Sequence, residues 1–465
     1  MITKLFFSSY CIVSLLLLWY SPQVYSHSYC WWNIAAFCLY VIPYLIYKIK
    51  KNGFFNFDTL FLFSFFCVNY LHAAFIYPND AFLPAFSFQY NPKVISYAIS
   101  LASVGVSFYL LGNVVFPSKQ TEYYKATTLK NNLVQLTKKV SFTCSILVFL
   151  YVILFVTGGL VHLYPRLMVL VLSLLVLSFH YSASYYNAQG GIKNLKSSIY
   201  TNKLNFVSLL LFVCAQLAIG SRSEVIYLLF SVLYIINVYY SSLKVKYLLP
   251  ASVVGVALMC ILMLTRTTKI NLNNSSFFDV VANGLDILAQ NDKVLWILFL
   301  DLIVCARTLY ESIDYVSMNS LLFGVSYIPY IFGFIPGGGI FATSLLLGKQ
   351  TKDVNSGYIL TDFANAPYGL GTNMIADMYI NFSYVGVAFG MFLFGVLVSR
   401  MESCDTKYRM FVYYSLIANS IYIPRASIFA FTDMFIMLVF LDLFMRFLSK
   451  KKIVFNRGWY LKIIF

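Results

Sequence analysis

The sequence has little charge, and little of that charge is negative: Asp, Glu, Lys and Arg make up 11% of 465 residues, and only 17 residues are acidic. A soluble domain carries about 25% charged residues. With 60% hydrophobic residues and a mean hydropathy of +0.77, this chain leaves that class and reads as an integral membrane protein. Histidine is scarce too: His27, His72, His162 and His180 are dispersed, and no HExxH metalloprotease pair occurs. There is no GxxxxGK[ST] nucleotide cradle and no Asp-x-Asp pair for metal-assisted handling of a nucleotide sugar, so neither metal nor cofactor is expected. The nine cysteines lie mostly inside apolar runs without CxxC spacing, which excludes a disulfide framework and a zinc site.

What is present is apolar sequence, aromatic side chains and lysine. The 38 Tyr and 44 Phe suit rings at bilayer interfaces, although compositional drift toward Phe, Tyr, Ile, Asn and Lys in the coding DNA accounts for them equally. A formal charge of +16 would suggest nucleic acid in a soluble protein. Here the lysines sit beside apolar spans, so the partner they indicate is the lipid bilayer and not a nucleic acid.

A crossing needs roughly 20 mostly apolar residues. Runs of that kind occupy 5–20, 29–47, 57–77, 94–116, 140–157, 167–186, 204–220, 223–240, 247–265, 373–398, 408–423 and 428–448. The first follows Lys4 but precedes no small-residue cleavage site, so it reads as a helix and not as a signal peptide. Every even-numbered exit is basic, for example Lys48, Lys50 and Lys51 after the second run and Lys450, Lys451 and Lys452 after the last. The positive-inside rule then puts those loops and both termini in the cytoplasm. The expected architecture is an all-α polytopic bundle of about twelve helices: nine in 1–265, a large outer loop in 266–372, three in 373–448 and a basic cytoplasmic tail in 449–465. Inside the loop, 294–306 and 321–347 are apolar but interrupted by Asp301, and by Pro329, Gly333, Pro336 and Gly337-Gly338-Gly339. They read as interfacial or re-entrant pieces buried against the bundle.

That loop holds eight of the 17 acidic residues, including Asp301, Glu311, Asp314, Asp353 and Asp362. On this topology the outer side has five of the 24 lysines but five of the nine arginines: Arg166, Arg222, Arg266, Arg307 and Arg425. Arginine offers a planar fork of donors and a permanent charge, which suit phosphate oxygens. Arg222 and Arg425 sit in tight outer turns, and Arg266 ends the ninth run. Arginines that merely snorkel at helix ends, with Glu224 pairing to Arg222, form the competing reading. Asn373, Asp377 and Asn381 recur at i, i+4 and i+8 on one helix stripe. A carboxylate there needs a partner or a wet cavity, so Asp377 is either a site residue or a hydrogen-bonded lock between helices. Gly386 and Gly390 form a GxxxG pair that reads as helix packing.

Several of these landmarks resemble the oligosaccharide repeat-unit polymerases of the O-antigen, Wzy type. They are Gly220-Ser221-Arg222-Ser223-Glu224; Phe323-Gly324-Val325-Ser326-Tyr327 leading to Phe334-Ile335-Pro336; the run from Gly371-Thr372-Asn373 through Asp377 to Val385-Gly386; and Ile423-Pro424-Arg425. Before the Gly220 turn the likeness is confined to hydrophobic spans. Two departures stand out: Asp377 where a glutamate is expected, and three glycines after Pro336 where the family places arginine and further basic or proline residues. The resemblance implies a bacterial inner-membrane glycosyltransferase of GT-C-like architecture. It would move a growing glycan from undecaprenyl diphosphate onto the non-reducing end of a new lipid-linked oligosaccharide at the periplasmic face. Implied partners are that lipid-linked oligosaccharide and a chain-length regulator and flippase of the same pathway.

On this reading Arg222, Arg266 and Arg425 bind the diphosphate, with Arg307 as a weaker fourth, and Asp377 or Asp362 orients or deprotonates the acceptor. Two rivals differ in one feature each. A repeat-unit flippase needs charges along a central cavity but no long outer loop, and an O-antigen ligase would carry a histidine in that loop, where this chain has none.

Overall fold

The computed structural model describes residues 2–80, 90–117, 132–156, 164–188, 203–219, 221–239, 294–333, 337–450, 452–455 and 461–464. The first helices are α1 (Ile2–Trp19), α2 (His27–Asn52), α3 (Phe57–Asn69), α4 (Ile95–Val115), α5 (Asn132–Val156), α6 (Tyr164–Ala188), α7 (Lys203–Ile219) and α8 (Arg222–Tyr239). Shorter helices follow: α9 (Val294–Ile303), α10 (Ala306–Met318), α11 (Ile328–Phe332), α12 (Gly338–Leu347), α13 (Thr351–Val354) and α14 (Ser356–Phe363). The chain continues with α15 (Met374–Glu402), α16 (Lys407–Asn419) and α17 (Thr432–Lys450), then a short antiparallel hairpin of β1 (Lys452–Phe455) and β2 (Leu461–Ile464). Helices thus occupy the predicted spans, except that the ninth, 247–265, lies outside the described residues. Among the described residues four helices, over His27–Asn52, Pro92–Val115, Leu167–Ser184 and Met374–Glu402, are long and apolar enough to cross a membrane.

Two compact units result. One comprises Met1–Gln120, Lys244–Ser403 and Asn419–Phe431; the other comprises Thr121–Leu243, Cys404–Ala418 and Thr432–Phe465. In the second unit, the buried ammonium of Lys407 pairs with Asp442, which also accepts from the Tyr181 hydroxyl, and His180 Nδ1 meets the Tyr414 hydroxyl at 3.0 Å. These polar side chains, placed in an apolar surrounding, are paired with one another, which offsets the cost of burying them.

The first unit is built on α4. Ser96, Ser100, Ser103 and Ser107 are all buried on it and recur at helical spacing. Ser107 meets Ser14 of α1 at 2.8 Å, Ser103 donates to Asn33 of α2 at 2.8 Å, and the Ser26 backbone N–H donates to Ser96 at 3.0 Å. On its other side α4 lies against α15 at a separation only glycine permits. A Cβ on Gly112 would stand 2.1 Å from the Phe392 carbonyl oxygen, and one on Gly395 would stand 2.1 Å from the Tyr109 carbonyl oxygen.

Two expectations change. The span at 57–77 is not one helix: α3 stops at Asn69 and a π-helical turn, His72–Ile76, follows. The span at 373–398 is broken at Phe382 and Ser383, where Ser383 has φ 57 and ψ −159. In a straight helix Met378 and Gly386 would be about 12 Å apart along the axis. Here a Cβ on Gly386 would come within 2.9 Å of the Met378 carbonyl oxygen, and one on Gly390 within 2.9 Å of the Met378 sulfur. Residues 374–381 therefore fold back on the helix that follows, and the GxxxG pair receives that returning segment instead of a separate helix. The part from Tyr384 to Glu402 still measures about 28 Å.

The apolar loop pieces also differ from expectation. Gly337 (φ 77) turns the chain, and a Cβ on Gly339 would lie 2.9 Å from the Pro329 carbonyl oxygen, so α11 and α12 meet through small residues. The large side chains of α12 consequently face outward: Ile340 (67%), Phe341 (66%) and Leu345 (68%) are exposed, not buried against the bundle.

Candidate functional site

The site forms where the loop interval meets α15. The α9–α10 corner at residues 304–305, the 368–371 strand of loop and the 3-10 turn Ile423–Arg425 enclose a cavity of about 460 Å³. Its walls include Leu300, Val304, Arg307, Tyr368, Leu370 and Arg425.

Two cations converge there. Arg307 lies in the first turn of α10 and is 1% exposed. Its Nε donates to the Val304 carbonyl at 3.3 Å, its Nη1 donates to the Tyr368 hydroxyl, and the guanidinium lies 5.0 Å from the Tyr368 ring centre. Such stacking holds the planar group in one orientation. Half-buried Arg425 packs over the Tyr422 ring at 5.4 Å, in a turn whose backbone is set by Pro424 and by the Arg425 N–H donating to the Tyr422 carbonyl at 3.0 Å. Both guanidinium groups act on the Cys305 thiol in the cavity wall: burial pushes its pKa up, while Arg425 and then Arg307 pull it down.

The 368–371 loop is fastened at both its backbone groups. Thr308 Oγ1 donates to the Leu370 carbonyl at 3.4 Å, and the Leu370 N–H donates to Thr361 Oγ1 of α14 at 2.9 Å. Gly371 supplies the positive φ (71°) by which the chain leaves toward α15.

The polar stripe of α15 turns out to be the scaffold under the cavity. Asn373 caps the helix, its Oδ1 accepting from the Ile375 N–H at 2.8 Å. Its Nδ2 donates to Asn69 Oδ1 at 3.0 Å and to the Cys305 carbonyl at 3.3 Å, tying α3 and the cavity corner together. Asp377 is fully buried: Oδ1 accepts from Ser326 at 3.2 Å and Oδ2 from Ser427 at 2.8 Å, two residues beyond Arg425. Asn381 donates to Ser326 at 2.7 Å and accepts from the Gly324 N–H at 2.9 Å. Three side chains on one face thus hold four separate segments of chain.

Of the residues picked out from sequence, the structure brings Arg307 and Arg425 into one cavity and links Asp377 to the Arg425 turn. Asp362 is exposed on α14, next to the Thr361 that holds the cavity loop, and the hydroxyls bonded to Asp377 come from elsewhere. Arg222 opens α8 in the second unit. Glu224 accepts at Oε2 from Ser223 at 2.8 Å and from Ser221. Arg266 lies outside the described residues. No group of three or more metal-ligating side chains occurs among the described residues. Sequence reasoning missed Tyr368, Ser326, Ser427 and Asn69. The first had a faint signal in the glycines after it and Ser326 lay inside the Phe323–Tyr327 landmark, while Ser427 and Asn69 had none. It also passed over Glu311, one helical turn from Arg307: it is 5% exposed, and its Oε1 lacks a hydrogen-bond partner among the described residues. Burial, helped by Asp314 and opposed by Arg307, raises its pKa to about 7.

The apolar helices are those of a multi-pass membrane protein, and in its first unit two arginines line one cavity. The chain belongs to the O-antigen polysaccharide polymerase Wzy family, whose model matches residues 1–452. It is a membrane enzyme of lipopolysaccharide biosynthesis that polymerises O-antigen. No curated protein and no solved structure matches it.

Proposed function

We propose that this polymerase joins undecaprenyl-diphosphate-linked repeat units at the periplasmic face of the inner membrane, with the cavity between Arg307 and Arg425 holding the diphosphate. The acceptor hydroxyl attacks the anomeric carbon of the donor glycan, the bond from that carbon to the diphosphate oxygen breaks, and undecaprenyl diphosphate departs with the electron pair. Fixed guanidinium groups meet the charge that develops on the leaving oxygens, where a preorganised donor contributes about 10²- to 10³-fold. The observation that carries this reading is the convergence of two oriented arginines, one almost wholly buried, in one cavity. Arg222, for its place in the sequence resemblance, and Arg266, an arginine at the outer end of the ninth run, are further phosphate contacts in this proposal.

The hydroxyl proton goes to a carboxylate, for which exposed Asp362 is our candidate. Asp377 is better suited to positioning, because both its oxygens are occupied by serine hydroxyls that fix the Arg425 and Ser326 segments. The topology of 1–265, 266–372, 373–448 and 449–465, with both termini cytoplasmic and a GT-C-like plan, is part of the same proposal. Family membership favours it over a flippase or a ligase.

Replacing Arg425 or Arg307 by lysine keeps the charge and removes the fork. The expected surface polysaccharide is a single repeat unit on the lipid core, with enzyme present at normal level. Full-length ladders from both variants would overturn the diphosphate assignment.

A further inference from the structure

Glu311 is a buried acidic side chain that the proposed reaction does not use. It follows Arg307 by four residues on α10, a spacing that leaves the two side chains neighbours on one face, about 5–6 Å apart at Cβ. Thr308 and Tyr315, which flank Glu311 on the helix surface, both touch α14 or the loop after it: Thr308 donates to the Leu370 carbonyl at 3.4 Å, and the Tyr315 ring lies 5.4 Å from that of Phe363. Glu311 is thus directed into the seam between α10 and that segment, beside the wall that carries Arg307 and Tyr368. Burial on this scale calls for partners, yet Oε1 has none among the described residues. Asp314, three residues on, accepts from Asn91 at 2.9 Å and is fixed there as a second carboxylate. The elements packed against α10 bring further charges: exposed Asp362 of α14, exposed Lys93 in the turn before α4, and Asp377 of α15, whose oxygens are taken by Ser326 and Ser427. His72 reaches α10 through the Tyr310 hydroxyl at 2.8 Å, and α4 carries no charged residue. Burial and then Asp314 favour the neutral carboxyl of Glu311 and Arg307 favours the ionised one, which is how its pKa comes to stand at about 7.

We infer that Glu311 is a positioning residue that acts through Arg307: it holds a proton while an anion occupies the cavity and releases it when the anion leaves. This rests on the reading of the Arg307–Arg425 cavity as an anion site. An ionised Glu311 draws on the charge of Arg307 and so competes with a bound anion, whereas the protonated carboxyl does not. Binding an anion therefore favours the protonated form, and one proton moves from solvent to the Glu311 carboxylate. During the reaction the whole charge of Arg307 then meets the oxygens on which charge develops as undecaprenyl diphosphate departs. The sign follows directly. Anion affinity is highest below about pH 7 and falls as the pH rises through that value, about tenfold for each unit by which binding raises the Glu311 pKa.

The test uses the full chain purified in neutral detergent and inorganic sulfate, whose charge does not change across the neutral range. Calorimetric titration in two buffers of different protonation enthalpy reads affinity and proton uptake together. The native protein is expected to take up a fraction of a proton with each sulfate near pH 7, and to bind about tenfold more weakly well above that pH than well below it. Glu311→Gln should match the native affinity at low pH, exceed it about tenfold at high pH, and bind without proton uptake. A glutamate that only packed the seam would give the opposite, a variant weaker at every pH. That result, a native affinity independent of pH, or a Glu311→Gln variant as pH-dependent as the native protein would overturn the inference. Arg307→Gln separates its failure from that of the diphosphate reading. If this variant binds sulfate as the native protein does, or the native protein binds none, the cavity is not an anion site and both fail. If Arg307→Gln loses sulfate while Glu311→Gln keeps the native pH dependence, only the role of Glu311 fails.

Discussion

Asp377 shows how a residue picked for its chemistry serves another through geometry. A carboxylate in an apolar chain invites a catalytic reading, and its position in the stripe with Asn373 and Asn381 was legible from spacing alone. Its work could not be read there, because the two serines it binds lie in segments far from it in sequence. A positioning role makes a specific prediction. Asp377→Asn keeps one acceptor oxygen, and a serine hydroxyl can turn to accept from the new amide, so polymer ladders should persist with activity within about tenfold. Asp377→Ala leaves the Ser326 and Ser427 hydroxyls without their acceptor, and polymerisation should fall to the level of the Arg425→Lys variant. A base would respond differently, with the asparagine variant as inactive as the alanine one in a gel assay of matched expression.

At the scale of elements, α15 is the piece whose sequence and structure diverge most. Its apolar content reads as one crossing, and hydropathy has no means of seeing that Phe382 and Ser383 reverse the chain. The backbone of Ser383, at φ 57 and ψ −159, lies in a region open essentially to glycine and costs about 1–3 kcal/mol for another residue. That strain is offset by what the reversal achieves: it sets the Asn373–Asn381 stripe against the segments that carry Cys305, Ser326 and Ser427 and lets Met378 pack on Gly386 and Gly390. Ser383→Gly should therefore raise the thermal transition of the detergent-solubilised protein, and Ser383→Val, branched at Cβ, should lower it. If both variants unfolded with the native protein, the strain would have no energetic weight. The close crossing of α4 and α15 is likewise a property of pairs: Gly112 and Gly395 are ordinary membrane glycines until each is found against the other's helix.

For the whole molecule, the distribution of charge makes the strongest prediction. Lysine crowds the exits of alternate helices, and the arginines of the cavity lie with the loop of 266–372. If this asymmetry sets the orientation, a cysteine at exposed Tyr358 should react with a membrane-impermeant maleimide added to spheroplasts. One at exposed Lys50 should react only after the membrane is permeabilised. Labelling with the opposite pattern would reverse the proposed orientation and move the diphosphate cavity to the cytoplasmic face.

What the sequence by itself determined is what a bilayer imposes one segment at a time: membrane class, the positions of most helices, the bias of arginine toward the proposed outer side, and the shared face of Asn373, Asp377 and Asn381. Each follows from run length, local charge or helical period, and these quantities need no knowledge of neighbours. Tertiary structure alone decided that Arg307 joins Arg425, that Tyr368 orients it, that Asp377 answers to Ser326 and Ser427, and that α15 turns back at Ser383. Those facts depend on segments distant in sequence meeting in a low-dielectric interior, where a polar group must find a partner, and only the fold determines which partner is within reach.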